Sequence, residues 1–441
     1  MDTAIPNREY LEMVFSAPTV KRTGKNEKEI FENMGNGQFS HTVQTIGVSL
    51  GSRKPKTNYY SMDEWENMVS KKIAKGYTII KTKKMEAKLK NISSKNSNEF
   101  KPLDDRDVEE FINWLRQGAQ LAFEESYTIA IDDISDEMIK LGTNIIDDLM
   151  ANYKTMSIST FNLKLRQLYQ AIPRHIKRYS DELMGPASTE DDKFKKLINE
   201  QELLEFMIQQ VKSNQALEVK SDTDTRPTVL EAFGFDEFRK VTPEEEAFIK
   251  FRMDQYSSNS NQYIRAWKVV NHKTEERFNE YCKKYSDKDR EASINHLFHG
   301  SETKNWWSIA TNGLYLDPNK IAGTGASVCG KAFGYGSYFA PSAQKSIGYT
   351  SSCGSYWKKG GDDKAYMAIF KVATGTKENG GIYDIYREKK GTPQHWADLQ
   401  KIRKNADCTW AYGGIGYVIH DEVIVYREEQ STIEFIIEFS H

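Results

Sequence analysis

Apolar residues recur along this chain with two different periods, and the period changes more than once. From residue 101 to about 216 the spacing is helical. Val108, Phe111, Ile112 and Leu115 follow i, i+3, i+4, i+7, and Met138, Leu141, Ile145 and Leu149 nearly do. Phe161, Leu165, Leu168 and Ile172 form a third stripe, and Leu203, Phe206, Met207 and Val211 a fourth. Each stripe needs an apolar partner, so the four predicted helices are expected to pack as a bundle. Pro173 is expected to end the third, because it lacks an amide hydrogen and collides with the preceding turn. GPASTEDD (185–192) reads as the loop before the fourth.

Both flanks of this helical stretch alternate instead. On the N-terminal side, QFSHTVQTIGVSL and GYTIIKT read as strands. Between them SMDEWENMVSKKIAKGY reads as a helix, capped by Ser61 or Asp63, with Trp65, Met68, Val69 and Ile73 at helical spacing. On the C-terminal side, NQYIRAWKVV, Ile294 to Phe298, YMAIFKV, VIHDEVIVY and STIEFIIEF read as strands, and KTEERFNEYCKKY as a helix. Thr242, Pro243 and Glu245 make a capping box that opens another helix. Many strands with few long helices between them predict an α+β domain built on antiparallel sheets. Two polar stretches, NISSKNSN (91–98) and SDTDTRPT (221–228), act as linkers. The expectation is therefore a multidomain α+β chain: a small mixed α/β domain over 1–98, an all-α bundle over 101–225 and an antiparallel-sheet domain over 226–441.

Composition narrows the class. A chain of 441 residues with 38% hydrophobic and 28% charged residues is expected to be soluble and to form two to four domains. The start, MDTAIPNREYLEMVF, lacks the basic and apolar regions of a signal peptide, and no apolar run reaches membrane-spanning length, so an intracellular protein with no membrane association is expected. Cys282, Cys329, Cys353 and Cys408 form no CxxC pair and have no His at ligand spacing, which points to neither a zinc site nor a disulfide framework. The net charge of −2 conceals an asymmetry: residues 1–100 hold 17 basic against 11 acidic residues, 101–230 hold 16 against 24, and the remainder is balanced. Lys71, Lys72, Lys75, Lys81, Lys83 and Lys84, continuing to Lys88 and Lys90 with Glu86 the one acid among them, form a cationic strip able to neutralise phosphates. A solvated helix face running into a linker accounts for the same residues.

The densest chemistry lies between Leu297 and Tyr349. His299-Gly300-Ser301 ends a predicted strand; a His there can donate to a ribose hydroxyl, and a Gly lets backbone approach a planar ligand. Gly323, Gly325, Gly330, Gly334 and Gly336 punctuate a loop over about 317–335 that lacks the GxxxxGK[ST] order of a phosphate loop and reads as a lid over a ligand, with a plain connection as the alternative. Gly336-Ser337-Tyr338-Phe339-Ala340 and Lys345-Ser346-Ile347-Gly348-Tyr349 offer two aromatic faces and a hydroxyl for a nicotinamide-like ring. Far downstream, Asp421-Glu422-Val423-Ile424-Val425-Tyr426 puts Glu422, Ile424 and Tyr426 on one side of a predicted strand, where a carboxylate is costly to bury unless paired or functional.

These residues, in order and approximate spacing, resemble the catalytic domain of the PARP family of ADP-ribosyltransferases. The likeness covers about 262–441 and includes Asn305, Asn312-Gly313-Leu314 and Phe333-Gly334. It implies an H-Y-E triad of His299, Tyr338 and Glu422, with NAD as substrate and no metal. His299 and Asn305 would serve the adenosine side, with Ser301, Phe339, Ala340 and Lys345 also in the binding set. Gly300 and Ser346 would clamp the carboxamide, and Tyr349 would stack on the ring. A Glu at the third triad position is the polymerising type, so the implied reaction is ADP-ribose transfer to protein acceptors, the chain itself included, up to polymer. Mono-ADP-ribosylation of protein or nucleic acid and silent NAD or ADP-ribose binding are the alternatives. FNLKLRQLYQAIPRHI resembles the family's helical regulatory domain, which implies autoinhibition. NMGNGQFSHTVQTIGVSLG with YSMDEWENMVSKKIAKGY resembles a WGR domain, which implies activation by DNA or RNA and a place in the DNA damage response. Ile46-Gly47-Val48 stands where Trp-Gly-Arg would, and a valine cannot make the bidentate phosphate contact of an arginine.

Overall fold

The structure, a computed structural model, describes residues 10–15, 26–33, 39–46, 56–61, 64, 67–69, 71, 77–80, 100–176, 179–215, 227–256, 258–316, 332–350, 354–355, 358–359, 364–415 and 418–440. The chain forms two compact units, one from residues 1–96 and 121–211, the other from 97–120 and 212–441.

The first unit begins with a five-stranded antiparallel sheet, β4-β3-β2-β1-β5, made from β1 (Tyr10–Phe15), β2 (Asn26–Asn33), β3 (Phe39–Ile46), β4 (Lys56–Tyr60) and β5 (Tyr77–Ile80). The alternating runs around β3 and β5 are strands as expected, and β1, β2 and β4 are additional ones. Helical residues fall between β4 and β5, with Val69 buried. Of the lysine strip, Lys71 is described and exposed; Lys72, Lys75, Lys81, Lys83 and Lys84 lie outside the described residues, as do Gly47 and Val48.

The helices follow. We number them α1 (Arg106–Ser126), α2 (Asp136–Asn152), α3 (Ile158–Ala171) and α4 (Glu190–Gln215). Ser135 and Ser157 cap α2 and α3 by accepting from the Met138 and Thr160 amides. α3 stops at Ala171 with Ile172 extended, as a following proline requires. The α2 stripe is rotated from its expected position: Gly142 and Ile146 are buried, whereas Leu141 is 44% exposed. A β-carbon on Gly142 would lie 2.3 Å from Ile172 Cδ1, so it is a missing side chain that lets α2 approach, which an apolar count passes over.

The α1 stripe differs more. The four stripes were expected to cover one another, yet Val108, Phe111, Ile112 and Leu115 pack into the core of the second unit. The Phe111 ring stacks on Trp267 with centroids 3.5 Å apart, and Tyr366 lies 5.6 Å away. The stripe is apolar as read; its spacing cannot specify which surface it covers.

The second unit is built on two sheets. The larger, β6-β7-β16-β12-β8, is antiparallel throughout and comprises β6 (Phe235–Lys240), β7 (Tyr263–Asn271), β8 (Ile294–Gly300), β12 (Lys364–Ala373) and β16 (Ser431–Ser440). Alternation along β12 sends Tyr366, Ala368, Phe370 and Val372 into one core and Ala365, Met367 and Ile369 into another, so the sheet is covered on both faces. The smaller sheet, β13-β14-β15-β9, comprises β9 (Ser337–Phe339), β13 (Ile382–Asp384), β14 (Cys408–Ala411) and β15 (Glu422–Val425). Its β13–β14 pair is parallel, a departure from the expected all-antiparallel pattern. A short ribbon joins β10 (Gly354–Ser355) to β11 (Lys358–Lys359). The two sheets meet where Phe298 and Ala340 exchange backbone hydrogen bonds of 2.8 and 3.0 Å, one residue from His299 and two from Tyr338. The Thr242 capping box is present and opens α5 (Pro243–Asp254).

Candidate active site

β8 delivers His299 and Gly300 at its end, paired with Ala368 and Met367 of β12. Desolvation of the half-buried imidazole lowers its pKa, with the hydrogen bond to the Tyr338 carbonyl acting the other way, and this favours the neutral ring. Its Nδ1 lies 2.8 Å from the Tyr338 carbonyl oxygen. A carbonyl only accepts, so the proton sits on Nδ1 and Nε2 is left as an acceptor. The ring nitrogen engaged here is Nδ1, which leaves Nε2 as the atom that could meet a ligand hydroxyl.

The neighbouring glycine is required by packing. A β-carbon on Gly300 would stand 1.9 Å from the Ser346 carbonyl oxygen and 2.9 Å from its carbon. The close approach expected of a ligand is thus also made by the backbone of α6 (Ala343–Ile347), and it brings Gly300 and buried Ser346 together. Asn305 Nδ2 donates to Ser301 Oγ at 2.9 Å, which fixes the turn after β8.

Tyr338 lies on β9, matched in register to Ile424 of β15, with Phe339 matched to Val423. Its hydroxyl is fully used: it accepts from the Phe333 amide at 2.9 Å and donates to the Gly334 carbonyl at 2.8 Å. Burial, then the nearby Tyr426 and Glu422, push its pKa well above the ordinary tyrosine value. The Tyr426 hydroxyl donates to the Phe333 carbonyl at 2.7 Å, so two tyrosines pin the Phe333–Gly334 segment, where Gly334 has φ +99°. Sequence reading assigned Tyr426 only to the face of a strand; nothing in spacing links it to Phe333, 93 residues earlier. Residues 317–331, with Gly323, Gly325 and Gly330 of the expected lid, lie outside the described residues.

Glu422 is the first residue of β15, and its side chain is 12% exposed. Lys345 Nζ donates to its Oε1 at 2.5 Å and sits 5.3 Å from the centroid of the Tyr349 ring. Burial by itself would lower the Lys345 pKa, but the hydrogen bond and charge of Glu422 outweigh it and hold the ammonium above its ordinary value. The carboxylate expected to need a partner has one, and the partner is a residue assigned beforehand to cofactor binding. His299, Gly300, Ser301, Asn305, Tyr338, Phe339, Ala340, Lys345, Ser346, Tyr349 and Glu422 therefore fall in one connected neighbourhood. Lys71 belongs to the other compact unit.

Among the described residues, no group of three or more His, Cys, Asp or Glu side chains is arranged to hold a metal, and no helix is long and apolar enough to cross a membrane. Two antiparallel-rich sheets joined at a His-Gly strand end, with a distant carboxylate brought back beside it, agree with the sequence comparison. Residues 250–441 match the family model of the poly(ADP-ribose) polymerase catalytic domain. This segment is similar to the PARP catalytic domain. A poly(ADP-ribose) polymerase-like protein of Invertebrate iridescent virus 6 is 29% identical over 195 residues, which span 44% of this chain and 94% of the viral one. The matched segment contains the site residues from His299 to Glu422, whereas Phe111, which packs against its core, lies outside it.

Proposed function

We propose that the chain is an NAD-dependent ADP-ribosyltransferase that carries ADP-ribose to protein acceptors, itself included, with release of nicotinamide. The observation that carries this reading is the Lys345–Glu422 pair standing beside the Gly300–Ser346 contact within a segment similar to the PARP catalytic domain. In the proposed reaction, the Gly300 backbone and the Ser346 hydroxyl hold the carboxamide while Tyr349 stacks on the ring. His299 Nε2 accepts from the adenosine ribose, and Tyr338 shapes the wall by pinning Phe333 and Gly334. The bond from the ribose anomeric carbon to the nicotinamide nitrogen breaks, its electron pair leaves with neutral nicotinamide, and positive charge develops on the ribose. Glu422 bonds the nearby 2′-hydroxyl and stabilises that charge. The acceptor nucleophile then adds to the anomeric carbon and loses its proton. Nicotinamide is already a good leaving group, so orientation contributes more than acid catalysis.

With Glu422 in place, the reading extends to chain elongation. We further infer that the helical stretch regulates transfer and that the N-terminal domain meets nucleic acid, the first supported by likeness of sequence, the second by the lysine strip. The decisive experiment incubates the purified full chain with labelled NAD, with and without nicked duplex DNA. Expected are free nicotinamide and a labelled smear, with the smear lost and transfer reduced in Glu422→Gln. A discrete band in the wild type assigns mono-transfer, and binding of NAD without nicotinamide release overturns the enzymatic reading. A nicked-DNA response that weakens steeply with salt supports phosphate contacts; no response removes DNA as the trigger.

A further inference from the structure

The residue immediately before Glu422 carries a second carboxylate, engaged elsewhere. Asp421 Oδ2 accepts from Trp410 Nε1 at 2.9 Å, and its Oδ1 accepts from the Gly413 amide at 2.8 Å. Both donors lie on β14 or just beyond it, and β14 is the strand paired with β15. The last matched pair of that ladder is Ala411 with Glu422. Past it the chain turns through Gly413 and Gly414, the latter at φ +76° with its amide donating to the Val418 carbonyl at 2.8 Å. A β-carbon on Gly413 would stand 2.7 Å from the Ile419 carbonyl oxygen and 3.0 Å from the Asp421 nitrogen, so the two arms touch there. The Asp421 side chain therefore crosses the hairpin one step beyond Glu422, at the ladder end where pairing opens first.

We propose that Asp421 is a positioning residue: a cross-strand clasp that fixes the start of β15 and so holds the Glu422 carboxylate against Lys345. The proposal rests on the transferase reading above. Asp421 stands one residue before β15 and its carboxylate is taken up by Trp410 and Gly413, whereas that of Glu422 meets Lys345, so Asp421 acts on the backbone without entering the site. One anchor of the clasp is firm. The Trp410 ring packs against the core shared by Phe339, Val423 and Val425, so the clasp ties the strand end to packed structure as well as to the turn. Both bonds are charge-assisted and hence stronger than the neutral ladder bonds they extend. Removing the carboxylate leaves the Trp410 and Gly413 donors without their acceptor and lets the Glu422 end of the ladder open.

The test compares full-length wild type, Asp421→Ala and Asp421→Asn for NAD turnover and for amide hydrogen exchange over residues 408–425. In Asp421→Ala, kcat is expected to fall about tenfold or more with KM for NAD within about twofold, because the groups that grip NAD are untouched while the carboxylate is displaced. Exchange at 421–424 is expected to quicken while the melting temperature stays within a few degrees. Asp421→Asn keeps one acceptor oxygen and is expected to recover part of the loss, and it serves also if the alanine variant folds poorly. An unchanged kcat, or a loss in which KM and melting temperature move together with kcat, overturns the proposal in favour of a merely structural bond. A wild type that consumes no NAD overturns the transferase reading instead; exchange then decides the clasp alone, and equal protection in wild type and variant removes it.

Discussion

Replacing Gly300 by alanine would drive a β-carbon to within 1.9 Å of the Ser346 carbonyl oxygen, and backbone cannot rotate away as a side chain can. Gly300→Ala is therefore expected to lose about 1–3 kcal/mol of stability and to abolish nicotinamide release, checked by chemical denaturation and by turnover of NAD. Tyr338→Phe tests a different link. Its hydroxyl serves the Phe333 amide and the Gly334 carbonyl, so removal leaves both without this partner and is expected to cost about 1–3 kcal/mol, with weakened NAD turnover as the pinned segment loosens. That His299, Tyr338 and Glu422 come near one another was legible because each stands in a short motif of distinctive composition. That His299 Nδ1 is engaged by a backbone carbonyl was not, since that carbonyl belongs to a residue 39 positions away.

At the scale of elements, β16 contains an irregularity with a consequence. Its pairing with β12 shifts so that Ile433 and Phe435 face consecutive residues Phe370 and Ile369, and Glu434 is the extra residue of the bulge. The bulge aims Glu434 at Lys268 Nζ, 2.9 Å away, and at His296 Nε2, 3.0 Å away. Burial alone would raise this carboxyl, but His296 first and then Lys268 bring it down to about 2. A carboxylate depressed on folding stabilises fully above its unfolded value of 4.5 and ceases to as pH falls toward about 2. Glu434→Gln is thus expected to melt lower than wild type near neutral pH, with the gap closing between about pH 4.5 and 2, measured by thermal scans across that range. The strand itself was legible from STIEFIIEF. The bulge was not, because register is set between strands and leaves no mark on one of them alone.

For the whole molecule, the boundary of the family segment and that of the packed unit differ. Phe111 is 4% exposed and stacked on Trp267, although it precedes residue 250 by more than a hundred positions. Phe111→Ala is expected to destabilise the second unit by about 3–5 kcal/mol, read as a fall in the melting temperature of the full chain. A fragment of residues 250–441 lacks the α1 stripe altogether and is expected to aggregate, checked by light scattering beside the full chain. The kinds of element could be read from the chain alone, because alternation and helical spacing are local properties of the side chains, and so could the likeness of the C-terminal segment to the PARP catalytic domain, because the site motifs are short and ordered. Folding in three dimensions settles what each apolar face covers, which nitrogen of His299 meets a backbone carbonyl, and that Glu422 is held by Lys345 while Asp421 is tied to Trp410 and Gly413 across the hairpin. Those outcomes depend on atoms far apart in the chain, and the free energy that selects them comes from contacts that exist only once the sheets have closed on one another.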